Sequence, residues 1–338
     1  MEKVAEVIKL DRGLPLVELQ SRDEGFNDLK GELQTGKTCV SKKLRAEFCA
    51  KMSKKKQALT IGDLVEVTLT NNQENAIINR ILPRKTELYR NDPVNRNKKQ
   101  ALAANFDRIA ICSVASELNF SHIARMLVIS KNANIPTDLI ITKCDLSKPN
   151  LGEVKEFLPA FDNIYKTELN GLSAKCKRLT ICEIESNDNL TIEEEHFEIE
   201  RLFEKSVTTI LVGKSGAGKS SLINGIAEEE LCLRGEVREF DDKGRHTTVS
   251  REIIELTDNH RVVDMPGLRS IGMIDCVNGI EKAFPEIAKL SHQCKFRDCT
   301  HTSEPGCAVI NAVSERLLTS WHELTSENQM NSSEKHRF

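Results

Sequence analysis

The sequence predicts a multidomain chain: a small N-terminal β-barrel, a central α/β domain built on a parallel sheet, and a small C-terminal metal-binding helical domain. Three observations predict it. Short alternating segments separated by Gly, Asn and Asp fill residues 1–85. Strand and helix patterns then alternate over residues 95–280, as parallel strands covered by helices require. Three thiols and an imidazole crowd the stretch from Cys294 to Cys307, within a segment (281–326) too poor in apolar residues to fold by burial alone.

At 338 residues the chain has room for two or three domains, and a hydrophobic fraction of 39% is ordinary for a soluble protein. The most apolar runs, Leu139–Ile141 and Ile210–Val212, are strand-length, far short of the roughly 18 residues of a membrane span. Met1–Glu6 carries acids where an export signal would carry a basic and then an apolar region. The expectation is a cytoplasmic monomer with no membrane partner. A net charge of −3 excludes a globally basic nucleic-acid coat, so any such contact must come from local patches. Of the eleven cysteines, those in apolar runs such as Cys112 and Cys182 read as small buried thiols, and no disulfide framework is expected.

Taken in order, the barrel rests on Val4–Ile8, Leu64–Leu69 and Ala76–Ile81. Between them Lys37, Lys42, Lys43, Arg45, Lys51, Lys54, Lys55 and Lys56 are interrupted by few acids. A charge run is commonly only a solvated face. On a small barrel it gains weight, because oligonucleotide-binding (OB-like) barrels hold nucleic acid on their strand faces and loops. Leu82–Pro93 reads as a linker. The α/β domain follows with Arg108–Val114 as a strand, Ser121–Lys131 as a helix and Asp138–Thr142 as a strand. It continues with Val207–Val212 as a strand, Ser221–Ile226 as a helix and Arg261–Asp264 as a strand. An amphipathic helix ending near Leu324 closes the metal-binding segment, and the polar residues 327–338 read as a disordered tail.

Chemistry concentrates at Gly213-Lys214-Ser215-Gly216-Ala217-Gly218-Lys219-Ser220, followed by Ser221. This is the GxxxxGK[ST] spacing in its required place between a strand and a helix. Glycines let backbone N–H groups turn toward a polyphosphate, and the helix N-terminus adds its positive end. Lys219 is expected on the β/γ-phosphates and the Ser220 hydroxyl on Mg²⁺.

Thr142-Lys143-Cys144-Asp145 ends the strand Leu139–Ile141, at the carboxyl edge where open α/β sheets bind ligands. A carboxylate there accepts the paired N1–H and N2–H₂ donors of guanine, which adenine cannot offer. Downstream, Gly244-Arg245-His246-Thr247-Thr248 reads as a first switch with threonines for Mg²⁺. Asp264-Met265-Pro266-Gly267 reads as a DxPG element, with Asp264 toward Mg²⁺ and the Gly267 N–H toward the γ-phosphate. These elements agree on GTP, although the guanine element precedes the phosphate loop rather than following it. For a second guanine-contacting loop, Ser173-Ala174-Lys175 has the wording usual in GTPases, but Glu185–Asn187 ends the better strand (Leu179–Ile184), lies closer to the phosphate loop and is the favoured of the two. Leu268 stands where many GTPases place a water-orienting glutamine, so His246 is the candidate to orient water, with Arg245 as a charge stabiliser or phosphate contact.

Cys294-x4-Cys299-x-His301-x5-Cys307 is a Cys₃His set, a closed tetrahedral arrangement for one structural Zn²⁺; His292 reads as a surface decoy. The permuted order, the barrel before it and this cluster after it resemble one family, the RsgA (YjeQ) circularly permuted GTPases. Leu88-Tyr89-Arg90 and Gln100–Asp107 carry the likeness further along the chain. The resemblance implies a circularly permuted P-loop GTPase domain and GTP/GDP as ligands. It further implies binding of the small ribosomal subunit and its rRNA during late maturation, with hydrolysis stimulated by the subunit and driving release. Two other readings stand beside it: a GTP-gated rRNA-binding scaffold with incidental hydrolysis, and a P-loop kinase or ATPase in which Asp145 is unrelated to the base.

Overall fold

Alternation in the N-terminal segment closes into a five-stranded barrel. The computed structural model of the chain describes residues 2–10, 14–20, 42–55, 58–70, 74–91, 99–118, 120–149, 160–167, 179–181, 196–197, 207–227, 251–256, 260–265, 273 and 275–335. Contacts divide it into two compact units, one drawn from Met1–Leu88, Ala101–Asn105 and Arg245–Ile253, the other from the remainder.

In the first unit, β1 (Glu2–Leu10), β2 (Leu16–Leu19), β3 (Lys43–Phe48), helix α1 (Ala50–Lys55), β4 (Leu64–Leu69) and β5 (Asn75–Ile81) follow one another. The strand order is β1-β2-β3-β5-β4, and β4 returns to pair with β1 from Glu2↔Thr68 to Glu6↔Leu64, so no edge is left in this ring. The period-two pattern is visible in the core: Val65 and Val67, Ala76 and Ile78, and Leu44 and Ala46 all point inward onto Val7, Val17 and Met52. Asp63 is fully buried beside this ring, where it accepts from Thr60 N–H at 2.8 Å and from Arg84 at 2.6 and 2.9 Å. A carboxylate out of water is tolerated because its lone pairs are filled by that guanidinium and amide.

The stretch expected to be a linker is instead partly a strand. β6 (Glu87–Asn91) pairs with β7 (Lys99–Ala104) as a two-stranded ribbon. Its alternation rests on a single buried apolar residue, Leu88, among charged and polar neighbours, which is why the pattern reads as loop.

The second unit runs β8 (Arg108–Val114), α2 (Phe120–Asn132), β9 (Thr137–Thr142), β10 (Asn163–Thr167), β11 (Leu179–Ile181), β12 (His196–Phe197), β13 (Thr208–Val212), α3 (Lys219–Ala227), β14 (Arg251–Glu255), β15 (Arg261–Asp264), α4 (Val277–Ala283), α5 (Pro285–Ser291) and α6 (Glu315–Lys335). Its parallel core has the order β10-β9-β8-β13-β15, and β11 and β12 extend it antiparallel. All of β9 and β13 is buried, as continuous apolar runs in a sheet covered on both faces demand. Arg251 and Glu252 of β14 are counted with the first unit, where they pair with Leu10 and Lys9 of β1; the Lys9–Glu252 ion pair is 2.6 Å long.

Residues 327–335, expected in a disordered tail, belong to α6. The buried face of that helix runs Leu317, Ser320, Leu324, Asn328, a helical spacing of mixed polarity. Asn328 Oδ1 accepts from Cys276 N–H at 2.9 Å, Asn331 donates to the Met273 carbonyl at 2.8 Å, and Glu327 pairs with Arg125 of α2. This end is held by amides and charges, so hydropathy alone misses it. α4 lies close against α2: a Cβ at Gly279 would stand 2.3 Å from the Val128 carbonyl.

Candidate functional site

β13 delivers the phosphate loop to the carboxyl edge of the sheet, flanked by β8 and β15. At Gly213 a Cβ would sit 2.4 Å from the Cys112 carbonyl of β8, so only glycine lets the chain leave the strand here. Gly216 is left-handed at φ +79° with open space around its would-be Cβ, a cradle with room for a ligand. α3 begins at Lys219, and its first-turn N–H groups, including that of Ser220, lack intrahelical partners by construction. The Lys219 amine is largely buried and donates to the carbonyls of Gly213 at 3.0 Å and Lys214 at 3.1 Å. It is thus folded onto its own loop. Lys214, Ser215 and Gly216 are exposed, Ala217 is buried, and Gly218, Ser220 and Ser221 are half-buried.

Thr142, at the end of β9, is buried, and its hydroxyl lies 2.9 Å from the Ala217 carbonyl and 3.3 Å from the Ser113 carbonyl. This ties the TKxD element to the phosphate loop. Lys143 then turns left-handed (φ +59°), and its carbonyl accepts from Leu146 and Ser147 N–H at 3.1 and 3.3 Å. That turn leaves Asp145 half-buried and Leu146 78% exposed. Asp264 stands opposite Leu211 on β15, one strand from the loop. Burial pushes the Cys112 thiol up to about 12, with Lys219 pulling it down and Asp264 pushing it up, so both charges lie close enough to be felt at that strand.

A cavity of ≈ 300 Å³ is lined by Lys214–Ala217, Lys143 and Leu146 together with Ser116, Glu117 and His122. No sequence motif marks the last three. The available signal was positional: the junction after β8 lies at the same carboxyl edge as Thr142. His122 titrates below its ordinary value, first because burial disfavours the charged ring and then because Lys214, Arg125 and Lys219 crowd it with positive charge. Gly244–Thr248, with His246, Thr247 and Thr248, lies outside the described residues. So do Gly267, Leu268 and both candidate guanine loops, Ser173–Lys175 and Glu185–Asn187.

The second cluster is more nearly complete. The ligand atoms of Cys294, Cys299, His301 and Cys307 all lie within 4.8 Å of one another. Cys294 Sγ is 3.9 Å from Cys307 Sγ and 3.7 Å from His301 Nδ1, which is 3.4 Å from Cys307 Sγ. Metal–ligand bonds of roughly 2.0–2.3 Å on a tetrahedron give ligand separations of about 3.3–3.8 Å, so the set fits Zn²⁺. Cys299 is pushed up to about 11, chiefly by burial and then by its neighbouring thiols. Burial works the same way on Cys307, yet N–H groups of Ile310 and Val309 hold that thiol below its ordinary value. Three thiolates so close need a cation between them. Burial also lowers His301, which favours the neutral ring a metal requires. The Trp321 ring lies 5.2 Å from the His301 ring, and His322 Nε2 is 3.1 Å from the His301 carbonyl. His292 is exposed and not in the cluster.

Comparison with known proteins gives concordant results. A model described as RsgA GTPase matches residues 81–274. A protein of Vibrio vulnificus named small ribosomal subunit biogenesis GTPase RsgA 2 is 34% identical over 281 residues, spanning 81% of this chain and 74% of that one. The small ribosomal subunit biogenesis GTPase RsgA of Streptomyces coelicolor is 32% identical over 275 residues, 79% and 70% of the two chains. Among solved structures, YjeQ from Thermotoga maritima covers 97% of this chain and 98% of its own, at TM-score 0.60 and 20% identity. YloQ, described as a circularly permuted GTPase, covers 100% and 98% at TM-score 0.57 and 22% identity. At these identities the two structures bear on the fold.

Proposed function

We propose, from the premise that this chain belongs to the RsgA GTPase family, how its own residues carry out that family's work. The chain is a GTP hydrolase of small ribosomal subunit biogenesis. In the proposed site, backbone N–H groups of Gly213–Ser220 and Ser221 surround the phosphates, and Lys219 exchanges its two carbonyl partners for β/γ-phosphate oxygens. Thr142 and Lys143 set the edge on which Asp145 accepts the guanine donor pair. Ser220 and Asp264 are the residues to hold Mg²⁺, joined by Thr247 or Thr248. When bound, that ion neutralises charge developing on the transferred phosphoryl oxygens. With Leu268 unable to orient water, His246 or the subunit must supply that function.

The observation that carries this reading is the Thr142 hydroxyl at 2.9 Å from the Ala217 carbonyl, which joins a base-reading strand end to a phosphate loop 75 positions later in the chain. Cys294, Cys299, His301 and Cys307 hold one structural Zn²⁺ in this proposal. The barrel, by way of Lys42, Lys43 and Lys51, and the metal-bearing segment meet rRNA. The protein acts as a monomer in the cytoplasm, where the subunit is assembled. Among the described residues no helix is long and apolar enough to cross a membrane.

The test is phosphate release from GTP and from ATP, with and without purified small subunits, at low and moderate salt. Selective GTP turnover raised by subunits is the expected result. Slow GTP turnover that subunits leave unchanged would remove the stimulated mechanism in favour of a nucleotide-gated scaffold, and equal use of ATP would remove the role given to Asp145.

A further inference from the structure

The segment between the first two candidate metal ligands, Lys295-Phe296-Arg297-Asp298, carries an arrangement that a structural zinc site does not need. Phe296 is 42% exposed, and it is the one aromatic residue among the exposed large hydrophobics of the described chain. A single exposed apolar residue is ordinary; what sets this one apart is the company of cations around an aromatic face. Lys295 and Arg297 beside it are both exposed, and Lys295 Nζ lies 5.5 Å from the ring centroid. Over residues 289–303 three cations, Lys289, Lys295 and Arg297, face a single carboxylate, Asp298. The next acid, Glu304, is occupied: it accepts from Thr300, Thr302 and Ser303 N–H at 2.8, 2.9 and 3.1 Å.

The platform is also held rigid. Cys294 and Cys299 bracket it, Lys295 N–H donates to the Gly306 carbonyl at 3.1 Å, and the Lys295 stem packs on Gly306, where a Cβ would come within 3.1 Å of Lys295 Cβ. A ring presented from a segment pinned on both sides and flanked by cations suits one chemistry in particular. An unpaired base stacks on the ring while its phosphates meet the lysine and arginine. A duplex keeps its bases stacked on each other and offers the ring nothing.

We propose that Phe296 is a stacking platform for an unpaired base of ribosomal RNA, with Lys295 and Arg297 on the adjoining phosphates. This rests on the small-subunit reading above.

The test uses the full chain with its zinc content verified by metal analysis. Binding is measured to a labelled 12-nucleotide oligoadenylate RNA, alone and annealed to oligouridylate. Phe296→Leu keeps apolar bulk without an aromatic face, and is expected to weaken single-strand binding about tenfold while leaving the duplex unchanged. Phe296→Trp adds a second indole to a chain whose one tryptophan is Trp321. Its emission should be quenched by the single strand and not by the duplex, with affinity retained. Single-strand binding unchanged in Phe296→Leu, an equal loss on duplex, or an unquenched indole would each overturn the proposal. Failure of the underlying reading looks different: the wild-type chain would then not sediment with small subunits at all, whatever the oligonucleotides show.

Discussion

The phosphate loop and the Cys/His cluster are both short sequence motifs, yet they are held by opposite means. The loop sits on a core it did not build: Ala217 and Leu222 pack with Ala110, Cys112, Ile140, Leu211 and Val262, each strand contributing to both sheet and site. The cluster has little beneath it beyond His301, Val309 and the flank of α6, and it is organised by four ligand atoms facing one another. One site is borrowed from the fold and the other substitutes for it. Ligand loss should therefore leave the first intact and dismantle the second.

The largest expected effect tests that contrast directly. Chelation, or Cys299→Ser combined with Cys307→Ser, should abolish hydrogen-exchange protection over residues 294–313, a loss on the order of 10 kcal/mol of local free energy. GTP affinity should change little. If GTP binding disappears with the metal, the two regions are not independent and the comparison fails. Next in size, Lys219→Ala should lower GTP turnover by roughly 10²–10³-fold with zinc content and thermal midpoint preserved, as loss of one charge stabiliser does elsewhere. Subunit-stimulated turnover at the wild-type rate would sink the role given to Lys219.

A finer probe asks whether the loop's neighbour reads the base. Asp145→Asn should cost GTP about 10–100-fold in affinity, and should cost ITP, which lacks the N2 amine, less. An unchanged GTP-to-ITP ratio would take Asp145 away from the base. Smaller again, Thr142→Val strips the buried Ala217 and Ser113 carbonyls of their shared hydroxyl and should lower unfolding free energy by about 1–3 kcal/mol, whereas Thr142→Ser restores it. Denaturant midpoints would show this. The smallest effect is a pH dependence. His122 is depressed below 6.5 in the fold, so the unfolded chain takes up its proton first. Stability contributed by this residue is complete above 6.5 and declines as pH falls through 6.5 toward the folded value. His122→Gln should flatten that decline; an identical acid slope in the variant would show that other groups dominate it.

Much of this was legible in the chain because each motif is local. Gly213–Ser220, Thr142–Asp145 and the Cys₃His spacing each specify their own turn, and the two strands that deliver the first two end in plain apolar runs, Ile210–Val212 and Leu139–Ile141. Legibility failed where structure depends on polar pairing or on what happens to face a site. The C-terminal half of α6 hangs on Glu327, Asn328 and Asn331, residues that hydropathy scores as solvent. β6 has a single buried apolar side chain. His122 shares a cavity with the phosphate loop because β8 runs between β9 and β13, a strand order no local pattern encodes.

That strand order gives the Thr142 hydroxyl a meaning beyond stability. β9 and β13 are separated by β8 alone, so the strands that lead to Thr142 and to Gly213 run two strand spacings apart, about 10 Å. The hydroxyl bridges from the end of β9 to the loop at Ala217. Under the proposed GTP reading, with the base at Asp145 and the phosphates at Gly213–Ser220, the site would work as a caliper: a ligand with the right base but a shortened or stretched sugar would reach one jaw and miss the other. On that proposal length, and not only the hydrogen-bonding edge of the base, is something this site would measure.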